Sequence, residues 1–290
     1  MISYFVDQVS QLGLMKEFLP FLLNVIKFNS AYVDANIIGG VVGSLCNLAI
    51  SSNDSEEILL IISVFDAIIG YSNLPNESIV IFTSTLCRLV NISSYSILSW
   101  KIMRNLIGTH LGTSTLYTLI HCLQTSSDPS LLRGGIFFIG MVLWSDRPAN
   151  CPNCPPAVVL PALSKALKQS QNALVVFETG LTLQKLVAVD GHHLVGIAWD
   201  WIMDIIESFL QFCDDFPKVR KTFVEIMTDV QQLVENGTYT GSTDVFFAVL
   251  DRGIVHVNEP SVLLLMNFQA LKIKPSQPNW IAALNKHVQR

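Results

Sequence analysis

The feature that most limits what this chain can fold into is the recurrence of helix start and stop signals, about every 20 residues. Asp54-Ser-Glu-Glu57 reads as a capping box, with Asp54 accepting from the backbone and Glu57 reaching back to it. Leu74-Pro75 and Asp128-Pro129 put proline at a first helical position, where its missing N–H costs nothing. Ser94, Thr113, Asn172 and Ser242 are further N-cap candidates. Gly70, Gly112, Gly191, Gly237 and Gly253 each follow an apolar periodic run, as helix-stopping glycines do.

Helix starts near residues 17, 34, 55, 75, 94, 114, 129, 156, 173, 193, 217, 243, 260 and 279 follow from these signals. Two helices then form a unit of about 40 residues, the length of a HEAT-type repeat. Self-similarity between units is weak, so the repeat rests on spacing alone. No segment reads as a run of period-2 strands, although Ile79-Val-Ile-Phe82 is rich in β-forming residues. The expected fold is therefore all-α, an α-solenoid of HEAT-like hairpins spanning residues 1–290 as one domain.

Two kinds of helix are expected. Pro217–Glu235 is amphipathic, with Val219, Phe223, Ile226, Met227, Val230, Leu233 and Val234 on one face. Leu131–Trp144 is apolar nearly all round, with only Arg133 charged, and must be covered on most sides. Alternating exposed and covered helices suit a two-layered array. Nothing marks a domain boundary, and the longest loop-like stretch is 145–156, with prolines at 148, 152, 155 and 156.

Charge is scarce: 14% of the 290 residues are charged, where about 25% is usual. Such a chain buries much of itself or leaves apolar faces open to partners. If repeats are missing at its ends, apolar residues such as Phe5, Leu12 and Leu14 are candidates for open surface. A mean hydropathy of +0.45 raises the question of a membrane span. The longest apolar runs, Ile58–Phe65 and Ile136–Trp144, are ended by Asp66 and preceded by Arg133. Both fall short of the roughly 18 residues a span requires, so no membrane span is expected. The first residues show neither a basic region nor a cleavage site for export. Net charge is −5, which argues against nucleic acid as a partner.

Catalytic and cofactor motifs are absent. There is no phosphate-binding loop, no dinucleotide fingerprint, no nucleophile elbow and no paired-histidine zinc motif. Gly39-Gly40-Val-Val-Gly43 lies inside a helical pattern and reads as helix-packing glycines. Cys151-Pro-Asn-Cys154 has C-x-x-C spacing, but a structural zinc site needs four ligands and no second pair exists. A variable loop is the plain reading, with metal or redox roles as alternatives. The chain is expected to be no enzyme and to hold no cofactor. Six cysteines without a dense framework fit reduced thiols in the cytosol.

Two polar stripes are the candidate sites. Asp200, Asp204 and Glu207 fall at i, i+4 and i+7 on a helix otherwise apolar, with Trp199, Ile202, Met203, Ile205 and Ile206. A solvated outer face explains them; an acidic edge recognising a basic partner helix is the alternative. Lys101, Arg104 and Asn105 share one arc of helix 94–111, opposite Tyr95, Leu98, Ile102, Met103 and Leu106. Solvation is again the ordinary reading, with buried pairing to a neighbouring helix as its competitor.

The stretch Trp100-Lys-Ile-Met-Arg-Asn-Leu-Ile-Gly-Thr-His-Leu-Gly112 resembles the amino-terminal region of tuberin, the tuberous sclerosis protein. The likeness continues through Leu131–Trp144, Ala198-Trp-Asp200 with Ile205-Ile-Glu207, Val25–Ser30 and Leu86-Cys-Arg88, and extends to Pro275 and Trp280. The resemblance implies an α-solenoid that binds hamartin, a coiled-coil protein, as part of a longer tuberin-like chain. It further implies a cytoplasmic complex that activates GTP hydrolysis on Rheb and restrains TOR signalling. In that family the GTPase-activating domain is a separate carboxy-terminal one, not represented in these residues. The other function class left open is an unrelated helical-repeat adaptor in transport or trafficking.

Overall fold

The structure is a computed structural model that describes Val9 and residues 13–256. The expected helix starts near 260 and 279, the likeness at Pro275 and Trp280, and Phe5 and Leu12 lie outside those residues.

Among the described residues there is no strand. The helices are α1 (Met15–Asn29), α2 (Ala35–Ser51), α3 (Ser55–Tyr71), α4 (Ile79–Leu89), α5 (Ser93–Ile107), α6 (Gly112–Thr125) and α7 (Pro129–Trp144). They continue with α8 (Pro156–Ser170), α9 (Ala173–Asp190), α10 (Gly196–Glu207), the one-turn α11 (Leu210–Cys213), α12 (Pro217–Glu235) and α13 (Thr243–Gly253). The start positions expected from capping residues therefore hold closely.

The caps explain both the agreements and the differences. Asp54 accepts from the Glu56 and Glu57 amides at 3.0 and 3.3 Å, as an N-cap should. Glu57 does not reach back to the Asp54 amide. That amide is taken by Ser52 Oγ at 3.1 Å, and the Ser52 hydroxyl donates to Glu57 instead. Asn172 and Ser242 cap α9 and α13 through the amides of Leu174 and Val245. Ser94 lies inside its helix, with Ile92 at the N-cap. Pro75 is extended and leads into a 3-10 turn, Asn76–Ser78, so α4 begins at Ile79. The β-rich Ile79–Phe82 is helical because Ile79 and Phe82 are buried among neighbouring helices, and packing overrides propensity.

Of the five expected stop glycines, Gly237 takes the left-handed conformation, with φ of 70°. Its amide donates to Val234 O and that of Thr238 to Leu233 O, closing α12 with a Schellman pair. Gly70 and Gly253 are helical, Gly191 caps α9 with right-handed dihedrals, and Gly112 opens α6.

Packing divides the chain into two compact units. The first comprises Met1–Cys122, Ser130–Val142 and Asp146–Asn153; the second comprises Leu123–Pro129, Leu143–Ser145 and Cys154–Arg290. In the first unit α3 packs against both α1 and α5, while α2 packs on α4. In the second, α10 packs against both α8 and α13, while α9 packs on α12. These helices thus meet their counterparts one hairpin away, the arrangement of stacked helical repeats. Phe65 and Phe82 meet edge to face at 4.9 Å in the first core. Trp199, Phe209, Phe223 and Phe246 are fully buried in the second. The apolar helix α7 is covered as expected, and Gly134 lets it approach α4 so closely that a Cβ would overlap the Cys87 carbonyl.

Candidate partner surface

Side-chain bonds tie the stacked helices together at a recurring sequence interval. Lys16 Nζ donates to Glu56 Oε2 at 2.7 Å, 40 residues away. Lys101 Nζ meets Asp66 Oδ2 at 3.1 Å across 35 residues, and Arg104 Nε meets Asp146 Oδ2 at 3.0 Å across 42. In the second unit Lys168 Nζ and Ser164 Oγ donate to Asp204 Oδ2 at 3.3 and 3.1 Å, across 36 and 40 residues. Arg252 Nε meets Glu207 Oε1 at 2.8 Å. The interval is one repeat, so a chain poor in charge spends much of its charge between neighbouring repeats.

The expected acidic stripe exists as geometry. Asp200, Asp204 and Glu207 are all exposed on α10, whose other face buries Trp199, Ile202, Met203, Ile205 and Ile206. Its three members differ in electrostatics. Asp204 and Glu207 are engaged by Lys168 and Arg252, whereas Asp200 makes no ion pair among the described residues. Asp200 is felt by Tyr239, whose hydroxyl is pushed up to about 12 by burial first and by the Asp200 charge second. Tyr239 packs at a tilt against Trp199, ring centroids 4.8 Å apart. Among the described residues, α10 thus carries one carboxylate without an ion pair near its amino-terminal end, followed by two shared with flanking helices.

The basic set on α5 lies in the first unit. Lys101 and Arg104 are paired with Asp66 and Asp146, and Asn105 is exposed. Both cations are paired, yet the pairs are solvent-exposed and not the buried helix-to-helix pairing weighed from sequence, and Asp146 lies just past the end of α7. Lys101 also borders a cleft of about 290 Å³ across α1, α3 and α5, lined by Leu23, Lys27, Ile62, Asp66, Leu98 and Ile102. The counter-ions Lys168, Arg252, Asp66 and Asp146 were not singled out from sequence. The signal that could have found them is opposite charge one repeat apart.

Elsewhere the chemistry is quiet. Among the described residues no three His, Cys, Asp or Glu side chains cluster as a metal ion would require. Burial pushes the Cys151 thiol up, against the opposing effect of Arg147, so the thiolate is disfavoured. Arg147 instead reaches the carbonyls of Cys151 and Pro152, both at 3.5 Å. Lys185, half-buried on α9, is lowered by burial more than the nearby Glu178 raises it. No described helix is long and apolar enough to cross a membrane.

The fold is a helical-repeat array of the α-solenoid class, built from HEAT-like hairpins. The chain belongs to the family described as a domain of unknown function, DUF3384, whose model matches residues 7–290. Its fold is similar to that of the TSC2 (tuberin) amino terminus, with a TM-score of 0.76 at 16% identity over 87% of this chain and 69% of that one. An engineered protein matches at 14% identity over 98% and 96% of the two chains, with a TM-score of 0.33. A designed armadillo repeat protein matches at 14% identity over 98% and 99%, with a TM-score of 0.29. Those last two superpose too poorly to support any argument.

Proposed function

We propose that the chain is a protein-binding scaffold that takes a hamartin-like coiled-coil protein as its partner. In this reading residues 1–290 serve as one domain of a longer tuberin-like chain in the cytoplasm. The assembled complex activates GTP hydrolysis on Rheb and restrains TOR signalling, while this region contributes binding alone. The observation that carries the reading is the shared fold with the TSC2 amino terminus over most of the chain.

The partner-facing residues proposed are Asp200, Asp204 and Glu207, with Lys101, Arg104 and Asn105 as a second set. Exposed charge beside a binding groove accelerates encounter and fixes register more than it adds affinity. Asp200 leads the first set because it is exposed and makes no ion pair among the described residues. The test is the association rate with a hamartin coiled-coil segment, at low and high salt, for wild type, Asp200→Lys and the triple lysine variant. The expected result is slower association for both variants, with the difference shrinking as salt screens the charges. Unchanged rates at low salt remove the stripe; no binding by wild type removes the partner.

A further inference from the structure

Helix α3 lies between α1 and α5 and packs on both. The cleft of about 290 Å³ beside Lys101 runs over it. Its floor is α3, where Ser63 and Ala67, four residues apart, are too small to fill it. Its walls are Leu23 and Lys27 of α1 and Leu98 and Lys101 of α5. Along α3 the lining runs from Ile62 to Tyr71, a rise of about 14 Å. Charge is uneven here. Lys27, Lys101 and Asp66 are the charged lining residues. Asp66 is taken by Lys101 at 3.1 Å in a pair open to water. Lys27 is exposed and makes no ion pair among the described residues. The cleft therefore carries an excess positive charge on a chain whose net charge is −5.

We propose that this cleft is a docking groove for an acidic amphipathic helix of a partner protein. The apolar ridge of that helix rests over Ser63 and Ala67, and its carboxylates meet Lys27 and Lys101. A floor of this length takes between two and three helical turns, enough for apolar anchors at i, i+4 and i+7. An extended segment does not suit it. The walls are helices that spend their amides internally, and the Ser63 hydroxyl already donates to the Leu59 carbonyl at 2.9 Å. A strand laid there would give up water and gain no backbone partner, whereas a helix brings its own hydrogen bonds. Charge sets the sign of the occupant. A basic helix would bring like charge against Lys27, while an acidic one meets an unpaired cation. Lys101 is one of the proposed partner-facing residues, so the inference rests on the scaffold reading in that respect; it does not require a hamartin-like partner.

The test is fluorescence anisotropy of the full chain, up to about 1 mM, against two stapled helical peptides of about 18 residues. Both carry one leucine ridge, flanked by glutamates in the first and by lysines in the second. Wild type should bind the glutamate peptide about three- to tenfold more tightly at low salt, the scale of a few exposed charge pairs. Non-specific attraction to a chain of net charge −5 would favour the lysine peptide instead, so the order is diagnostic. Lys27→Glu should reverse that order, which a merely structural change would not do. Ser63→Phe, which fills the floor, should weaken the glutamate peptide at least about tenfold, as loss of an anchor's pocket does. Lys165→Glu, at an exposed site on α8, should behave as wild type. Should Ser63→Phe lose its helical circular dichroism, the wall variant Leu98→Ala takes its place with the same expected direction. Wild type that binds neither peptide or does not prefer glutamate, an order unchanged by Lys27→Glu, or a folded floor or wall variant that binds as tightly as wild type overturns the proposal. Neither peptide contains hamartin sequence, so failure here and failure of the hamartin test are distinguishable.

Discussion

Lys168 on α8 holds Asp204 on α10 at 3.3 Å, across 36 residues of chain. The same carboxylate also accepts from Ser164, so a residue that reads as part of an outward stripe is also a tie between repeats. Within the stripe the structural tie is thus confined to Asp204 and Glu207, since Asp200 has no such tie among the described residues.

Substituting Asp204 and Asp200 separately should expose that division. Both Asp204 and Lys168 are well exposed, so solvent screening limits their pair to about 0.2–1 kcal/mol. Asp204→Lys loses this pair and adds repulsion, and should lower the unfolding midpoint measurably at low salt and less at high salt. Asp200→Lys should remain within about 0.5 kcal/mol of wild type, as surface changes without partners do. Equal losses from both would show that the Lys168 tie contributes nothing.

Glycines in two helices should respond in opposite directions. Gly134→Ala places a methyl group against the rigid backbone at Cys87 and should cost about 1–3 kcal/mol or more as α7 is forced off α4. Gly43→Ala, inside α2, meets nothing within 4 Å and should stabilise by about 0.5–1 kcal/mol through helix propensity. Urea unfolding of the two variants checks both signs.

Asp229 on α12 should couple stability to pH. Burial first, and Glu225 second, raise its carboxyl above the ordinary 3.8. The folded state thus holds this proton more tightly than the unfolded chain. Its contribution falls as pH rises from the unfolded value through the raised folded one, and the cost is complete above both. Asp229→Asn should therefore be more stable than wild type at neutral pH. The advantage should vanish below about pH 3.8, where the wild-type carboxyl is protonated in both states. Thermal melts of the two proteins across pH 3 to 7 provide the comparison.

Thiol labelling should divide the cysteines. Cys46, Cys87, Cys122 and Cys213 are buried, and burial pushes Cys46 and Cys213 to about 12. Cys151 and Cys154 are only partly covered. Alkylation of the native protein followed by mass spectrometry should modify those two, slowly at Cys151, and reach the other four only on unfolding.

Much of the fold was legible because caps act locally. Asp54, Asn172 and Ser242 announce helix starts through hydrogen bonds made within three residues, and Pro129, Pro156 and Pro217 sit at first helical positions. The Ser52–Glu57 link was not legible, since it depends on how the preceding loop turns back. Glycine stops were over-read for a similar reason. Gly112 and Gly134 are explained by close approach to other atoms, which sequence spacing does not register, and only Gly237 by its own dihedrals. For the candidate surface, periodicity correctly aligned Asp200, Asp204 and Glu207 on one exposed face. It was silent on which of them Lys168 and Arg252 would engage, because a helical wheel contains one helix and the ties join two.

The near-constant reach of those ties has a consequence for how the protein is made. The side-chain links close loops of 35 to 46 residues, whether between helices early in the chain, as Lys16 to Glu56, or between connecting loops late in it, as the Thr240 hydroxyl to the Leu194 carbonyl. Loops of this size close without waiting for distant sequence. As the chain leaves the ribosome, each helix needs about one further hairpin before its partner emerges. Assembly can therefore follow synthesis in steps from the amino terminus, leaving only the newest hairpin unpaired at any moment.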